Sequence, residues 1–307
     1  MIETTIQTLP HGIDLSIRTC GERGRPVLIF LHGFPEAAFV WDEYLEHFAK
    51  PENGGYRAVA PNLRGFERSS SPADVSAYRA KHLTQDIAAL IGIEAGKQAE
   101  SANDGAGQLA CLIAHDWGGA VAWNLVNQQP QLQKKLVIIN SPHPSTFLRE
   151  LQHSPAQQAA SQYMIFLARP DAPTLLAEDN FRRLWEFFTN MGAGSEQYGW
   201  LTDAVRAQYH EVWSMGLTGG CNYYAVSPMK PDDNIKNLVL PAEMFTIQIP
   251  TQVIWGMKDL ALRPGLLDGL QDYIADLRIH KIDDATHWIT HEQPALVKQL
   301  ISDFLQA

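Results

Sequence analysis

Short apolar runs alternate along the chain with longer stretches whose apolar residues recur at helical spacing. Runs of this kind, bounded by turn residues, predict buried strands. They fall at residues 27–31, 58–61, 109–114, 136–139, 252–255 and 277–282. Helical spacing occupies 41–49, 82–93, 119–127 and 294–305. Such alternation predicts an α/β fold, a mostly parallel sheet with helices on both faces. Ahead of it, residues 4–9 and 13–20 flank His11-Gly12 and predict a hairpin.

The alternation stops between about residue 145 and residue 245. That stretch is helix-rich and aromatic, with Phe147, Tyr163, Trp185, Tyr198, Trp213 and Tyr224 among its rings. It predicts a helical cap, residues 145–245, inserted into a core made of residues 1–144 and 246–307. Residues 96–107, rich in Ala, Ser, Asn and Asp, are expected to form a surface loop.

Composition narrows the setting. A length of 307 residues suits one large α/β unit with an insertion. No apolar run approaches the ~18 residues of a membrane span, and Met1-Ile2-Glu3-Thr4-Thr5 lacks a basic and apolar leader, so no membrane partner is expected. Cys20, Cys111 and Cys221 are far apart, with no CxxC pair or metal-like cluster, which fits a reducing, cytoplasmic setting. A formal charge of -10 argues against nucleic acid as a partner.

Open parallel sheets bind ligands at the carboxyl ends of their strands. Polar residues follow four of the predicted strands. They are His32-Gly33-Phe34-Pro35-Glu36, Asp116 within His115-Asp116-Trp117-Gly118-Gly119, Gly256-Met257-Lys258-Asp259, and Ala285-Thr286-His287-Trp288. An aspartate after a strand ordinarily caps a helix or forms a turn. Here it sits between a strand and a glycine-led helix, where many hydrolases carry a serine nucleophile. Asp116, Asp259 and His287 then follow the chain order nucleophile, acid, histidine. Asp283 and Asp284 read as solvated turn residues, and the turn after the sixth strand, Asn140-Ser141, holds no acid.

An aspartate at that elbow changes the electrophile. A serine that attacked saturated carbon would end as an ether. An aspartate ends as an alkyl ester, whose carbonyl is its own side-chain carbon, and water can attack there. The carboxylate needs no base before it attacks. His287 must be neutral to take the proton from water, and Asp259 fixes its tautomer and stabilises the imidazolium. Epoxide opening and halide displacement both meet this description.

The motifs HGFPE at 32–36, HDWGG at 115–119, KD at 258–259 and HW at 287–288 resemble those of α/β-hydrolase fold epoxide hydrolases of the soluble type. The resemblance runs over nearly the whole chain. It departs at Ala114 and Thr286, where relatives carry glycine, and in the loop Asn62–Ser69. The resemblance implies an α/β-hydrolase core with an inserted cap and a cofactor-independent hydrolase that yields vicinal diols. It places an oxyanion hole at the backbone N–H groups of Phe34 and Trp117. It places two proton-donating tyrosines at Tyr163 and Tyr224, with Tyr223 as the alternative for the second. The pocket between core and cap is expected to be lined by Trp117, Phe34, His143, Tyr223 and Trp288. The expected partner is a small, apolar epoxide, and the expected state a monomer or homodimer. A dehalogenase would use the same ester chemistry, but the residues that distinguish haloalkane and fluoroacetate dehalogenases are replaced here by Phe34, Trp117 and Tyr163-Met164. A non-catalytic receptor on this fold would have no need of Asp116, Asp259 and His287 together.

Overall fold

A computed structural model describes residues 1–96, 107–193, 199–241 and 245–307. The predicted hairpin forms as β1 (Glu3–Thr8) and β2 (Asp14–Cys20), in antiparallel register from Glu3↔Thr19 to Thr8↔Asp14. The chain continues through β3 (Val27–Leu31), α1 (Asp42–Ala49), β4 (Arg57–Pro61) and α2 (Ala80–Gly96). It then forms β5 (Cys111–His115), α3 (Trp117–Gln128) and β6 (Leu136–Ile139). Between β6 and the next strand lie α4 (Pro144–His153), α5 (Pro155–Ala160), α6 (Tyr163–Leu167), α7 (Ala172–Asn190), α8 (Asp203–Ser214) and α9 (Thr218–Val226). The α/β alternation returns with β7 (Thr251–Gly256), β8 (Leu277–Ile282), α10 (Ile289–Glu292) and α11 (Pro294–Gln306).

The eight strands form one sheet in the order β1-β2-β4-β3-β5-β6-β7-β8. From β4 to β8 all neighbours are parallel; only the hairpin and its junction with β4 are antiparallel. Every residue of β3, β4, β5, β6 and β7 is buried. Side chains alternate between the faces of a strand, so both faces of this central region are covered. Helices α1 and α11 pack together, as do α2 and α3.

The boundaries differ from the pattern in two places that matter. The fifth strand begins at Cys111, not at residue 109, and runs through His115. Leu109 makes only an isolated bridge to Gln133. The helix that follows it starts at Trp117, two residues ahead of the predicted 119. The loop expected at 96–107 lies almost entirely outside the described residues, as does Tyr198. None of the helices among the described residues is long and apolar enough to cross a membrane.

Candidate active site

The chain turns sharply between β5 and α3. Asp116 sits at φ 50°, ψ -121°, a left-handed φ that a residue with a Cβ seldom adopts. Holding such a conformation costs about 1–3 kcal/mol, and the surroundings must over-determine it. Here the Ser141 hydroxyl donates to the Asp116 carbonyl at 2.7 Å, and the Asp116 N–H donates to the Ile139 carbonyl at 3.4 Å. The carboxylate does not cap its own helix. It turns instead to the loop after β3, where Oδ1 accepts the Phe34 N–H at 2.8 Å. That approach requires glycine at residue 33, because a Cβ there would lie 2.2 Å from Asp116 Oδ1. Gly118 is pressed as closely, with a Cβ position 2.6 Å from the Leu31 carbonyl. Trp117 opens the helix, so its N–H has no intrahelical acceptor. A cis peptide joins Phe34 to Pro35.

His287 follows β8 and is buried. Its Nδ1 lies 2.7 Å from Asp259 Oδ2, and its Nε2 lies 3.8 Å from Asp116 Oδ2. The first is a hydrogen bond; the second is beyond direct bonding range. The Asp259 carboxylate is buried and fully engaged. Its Oδ1 accepts the Ala261 and Leu262 N–H groups at 2.9 and 2.8 Å, and its Oδ2 accepts Asn140 Nδ2 at 2.7 Å. Burial works against a charged His287, but the Asp259 carboxylate and then Asp116 outweigh it and carry the imidazole from 6.5 to about 9. At neutral pH the ring is an imidazolium between two carboxylates.

A cavity of about 80 Å³ opens above the elbow. Asp116, Trp117, Tyr163, Tyr224, Phe147 and Met164 are among the residues that line it. His287 stands behind Asp116 and is not part of that wall. Tyr163 and Tyr224 come from α6 and α9, with ring centroids 6.1 Å apart, and Trp117 meets Tyr224 edge-on at 5.0 Å. Burial and then the charge of Asp116 push the Tyr163 phenol well above its usual value. Burial, Tyr163 and Asp116 do the same to Tyr224. Both are therefore neutral donors at physiological pH.

Of the residues expected in the pocket, His143, Tyr223, Trp288 and the Phe34 ring lie outside the wall of this cavity, and Tyr223 lines the one adjoining it. His143 is buried: Nε2 bonds the Phe245 carbonyl at 2.8 Å, and the ring stacks on Tyr273 at 4.9 Å. It caps the start of α4 by accepting the Ser145 N–H. The Tyr223 hydroxyl donates to the Arg64 carbonyl at 2.9 Å, which turns it away from Asp116. Trp288 is fully buried and stacks on Phe188 at 4.3 Å. Phe34 contributes its backbone N–H, while its ring packs edge-on against Tyr224 and Phe187.

Two groups not predicted for the site join it. One is Asn140, whose side-chain Oδ1 also accepts the Gly256 N–H at 2.9 Å. The other is a buried network behind the elbow. His115 bonds the His287 carbonyl through Nε2 at 2.9 Å and Glu36 Oε2 through Nδ1 at 3.2 Å. Glu36 Oε1 is met by His291 at 2.6 Å and by the Tyr209 hydroxyl at 2.8 Å. Burial opposes the charge on Glu36, but His291 and His115 hold its carboxyl well below the usual range. Glu36 and His115 stood inside the two quoted motifs; only their meeting across the sheet end was hidden.

An aspartate thus stands at a strand–helix elbow, faced by a histidine–aspartate pair. A family profile described as the alpha/beta hydrolase fold matches residues 26–294. Epoxide hydrolase 4 of Mus musculus is 32% identical over 301 residues, covering 96% of this chain and 77% of that protein. The AB hydrolase superfamily protein YfhM of Bacillus subtilis (strain 168) is 30% identical over 298 residues, covering 96% of each. The crystal structure of an epoxide hydrolase from Bacillus megaterium in complex with an inhibitor superposes with a TM-score of 0.86 at 28% identity, covering 99% of this chain and 100% of that one. The chain belongs to the α/β-hydrolase fold family, and within it to the group of the epoxide hydrolases.

Proposed function

We propose that the protein opens an epoxide to a vicinal diol through an alkyl ester on Asp116. The observation that carries this reading is the position of the Asp116 carboxylate. One oxygen is held by the Phe34 N–H at 2.8 Å, and the residue opens into a cavity shared with two tyrosines. Oδ1, already hydrogen-bonded, is set to become the ester carbonyl oxygen. Oδ2 is left to attack.

As Oδ2 bonds to a ring carbon, the C–O bond of the epoxide breaks and its oxygen gains charge. Tyr163 and Tyr224 donate to that oxygen, and one of them gives up its proton. Both phenols are held weakly acidic partly by the Asp116 charge. Ester formation removes that charge, so the donors grow more acidic as the leaving oxygen needs them. The same loss lowers the affinity of His287 for its proton, which returns to the phenolate through solvent. Neutral Nε2 then takes a proton from water as the water oxygen attacks the Asp116 side-chain carbon. The charge that develops on Oδ1 meets the N–H groups of Phe34 and Trp117, each worth about 2.7–4 kcal/mol in comparable sites. Collapse of this intermediate breaks the ester C–O bond; the leaving alkoxide takes the proton of the added hydroxyl, which releases the diol and leaves Asp116 a carboxylate and His287 an imidazolium, as at the start. Asp259 holds the ring in place throughout and stabilises the imidazolium whenever it is present.

The apolar, aromatic wall suits an apolar substrate. The resemblance in sequence and fold to proteins named epoxide hydrolases supports the leaving group chosen. The test is a panel of small epoxides beside halogenated alkanes and acids, scored for diol and for halide release. Diol formation is expected. Halide release without diol would assign the protein to dehalogenation, and neither product with tight binding would make it a receptor.

A further inference from the structure

The loop that carries the Phe34 N–H is held on one side by the cap. Tyr209 and Trp213 lie four residues apart on α8, and both reach this loop. The buried Trp213 indole donates to the Pro35 carbonyl at 2.7 Å. The Tyr209 hydroxyl donates to Glu36 Oε1 at 2.8 Å. Proline has no N–H, so that carbonyl is the one main-chain hydrogen-bonding group residue 35 has. Phe34 sends its ring into the cap as well. It meets Phe187 of α7 and Tyr224 of α9 edge-on, and a Cβ at Gly220 would lie 2.8 Å from it. The N–H that binds Asp116 Oδ1 at 2.8 Å therefore belongs to a core loop fixed by cap helices. Trp213 is outside the wall of the cavity over Asp116, so its reach to the site runs through Pro35.

That N–H serves the two halves of the reaction unequally. Before attack it bonds a charged carboxylate oxygen. In the ester the same oxygen is a neutral carbonyl and a weaker acceptor. When water adds, the charge returns to Oδ1 and the bond strengthens. Only a bond that strengthens on the way to a transition state accelerates that step. Loosening the Phe34 N–H therefore slows hydrolysis of the ester and leaves its formation little changed.

Resting on the epoxide reading, we infer that Trp213 is a positioning residue for hydrolysis of the Asp116 ester. Its indole N–H, acting from the cap through the Pro35 carbonyl, keeps the Phe34 N–H aimed at Oδ1. Core and cap then assemble the oxyanion hole together.

The test removes the indole N–H and keeps the ring. Benzothienylalanine at position 213 of the whole chain replaces the N–H by sulfur, and Trp213→Phe is its simpler companion. Trp185→Phe is the packing control. Trp185 lies on Trp213 at 4.5 Å in the same aromatic cluster, so its loss disturbs the packing and spares the bond to Pro35. Styrene oxide, cyclohexene oxide and propylene oxide are the probes. Rapid quenching follows the Asp116 adduct by intact mass, and the diol by chromatography, through a single turnover. Both replacements at 213 are expected to slow decay of the adduct by about tenfold or more while its formation, and both rates in Trp185→Phe, change by less than about twofold. The assignment fails if the benzothienylalanine form hydrolyses its ester at the wild-type rate, or slows formation and decay in equal proportion. It fails as well if Trp185→Phe shows the same selective loss. A wild type that yields no diol from any of the three probes overturns the epoxide reaction itself, a failure told apart because no variant is needed to see it.

Discussion

Asn140 and His287 share one oxygen of Asp259, each at 2.7 Å. Asn140 adopts φ 39°, and its amide also binds the Gly256 N–H, so the side chain fastens β6 to β7 at their carboxyl ends. The carboxylate is thereby aimed at Nδ1 while its other oxygen is fixed by two backbone donors. Asn140→Ala removes a bond to a charged acceptor and leaves the Gly256 N–H without its acceptor. Stability is expected to fall by about 1.5–3 kcal/mol. Ester hydrolysis should slow more than ester formation, because only the former needs His287 as a base. Denaturant melts and single-turnover kinetics on a small epoxide check both; a variant with unchanged hydrolysis would mean Asn140 serves the fold alone.

In the proposed scheme the ester forms before the base is used. His287→Gln should therefore trap the substrate on Asp116. Mass spectrometry of the intact protein, then of its peptides, is expected to show one adduct of substrate mass on the peptide carrying residue 116. An inactive variant that never acquires an adduct would contradict the order of steps.

Gly33 leaves no room for a side chain beside the nucleophile. A methyl group there would overlap Asp116 Oδ1, with the Cβ placed 2.2 Å away. Gly33→Ala should swing the carboxylate off the Phe34 N–H. The loss of that one donor predicts a fall in turnover of about 10²–10³-fold. Circular dichroism is expected to stay close to the wild type, since the residue follows β3 in a loop. Full activity in this variant would show that Oδ1 need not sit where it does.

These cases show what the residue pattern carried and what it did not. Asp116 was legible because an apolar run, a polar turn and a glycine-led helix have few other uses together. The central sheet was legible for the same reason, as strands buried on both faces leave continuous apolar runs. The limits of β5 were not. Leu109 extends the run yet makes only a bridge, while polar His115 belongs to the strand because Glu36 and the His287 carbonyl satisfy its ring. Gly118 and Gly119 read as a close approach of helix to strand, and Gly118 does abut the Leu31 carbonyl. The helix itself starts at Trp117, ahead of the expected Gly119. Side-chain direction was hidden too. His143 and Trp288 flank the right segments, but stacking on Tyr273 and Phe188 draws both into the packed interior. Tyr223 and Tyr224 are neighbours in sequence, and a single hydrogen bond to Arg64 separates their surroundings.

The two cap phenols provide the next prediction. Tyr163→Phe or Tyr224→Phe alone leaves one donor in the cavity, and partial activity is expected from each. The double variant leaves none, and epoxide opening should fall to the limit of detection while the melting temperature changes little. Ester formation, read as the Asp116 adduct in a His287→Gln background, should vanish with it. Undiminished turnover in the double variant would remove both tyrosines from the reaction.

The charge on His287 gives a prediction in pH. Its folded value of about 9 lies above the ordinary 6.5, despite burial, because of Asp259 and Asp116. A raised value stabilises the folded state fully below about pH 6.5, and the contribution fades as pH climbs through about 9. Its size is on the order of 3 kcal/mol. Asp116→Asn deletes one of the two carboxylates, so the His287 titration should move down and the loss of stability above neutrality should flatten. Ester formation in the wild type deletes the same charge, so the variant reports the state in which His287 acts as base. Heteronuclear NMR of the imidazole, assigned by the signal lost in His287→Gln, measures the titration, and melts from pH 6 to pH 10 measure the slope. A His287 that titrates identically in the wild type and in Asp116→Asn would break the link between nucleophile charge and base strength.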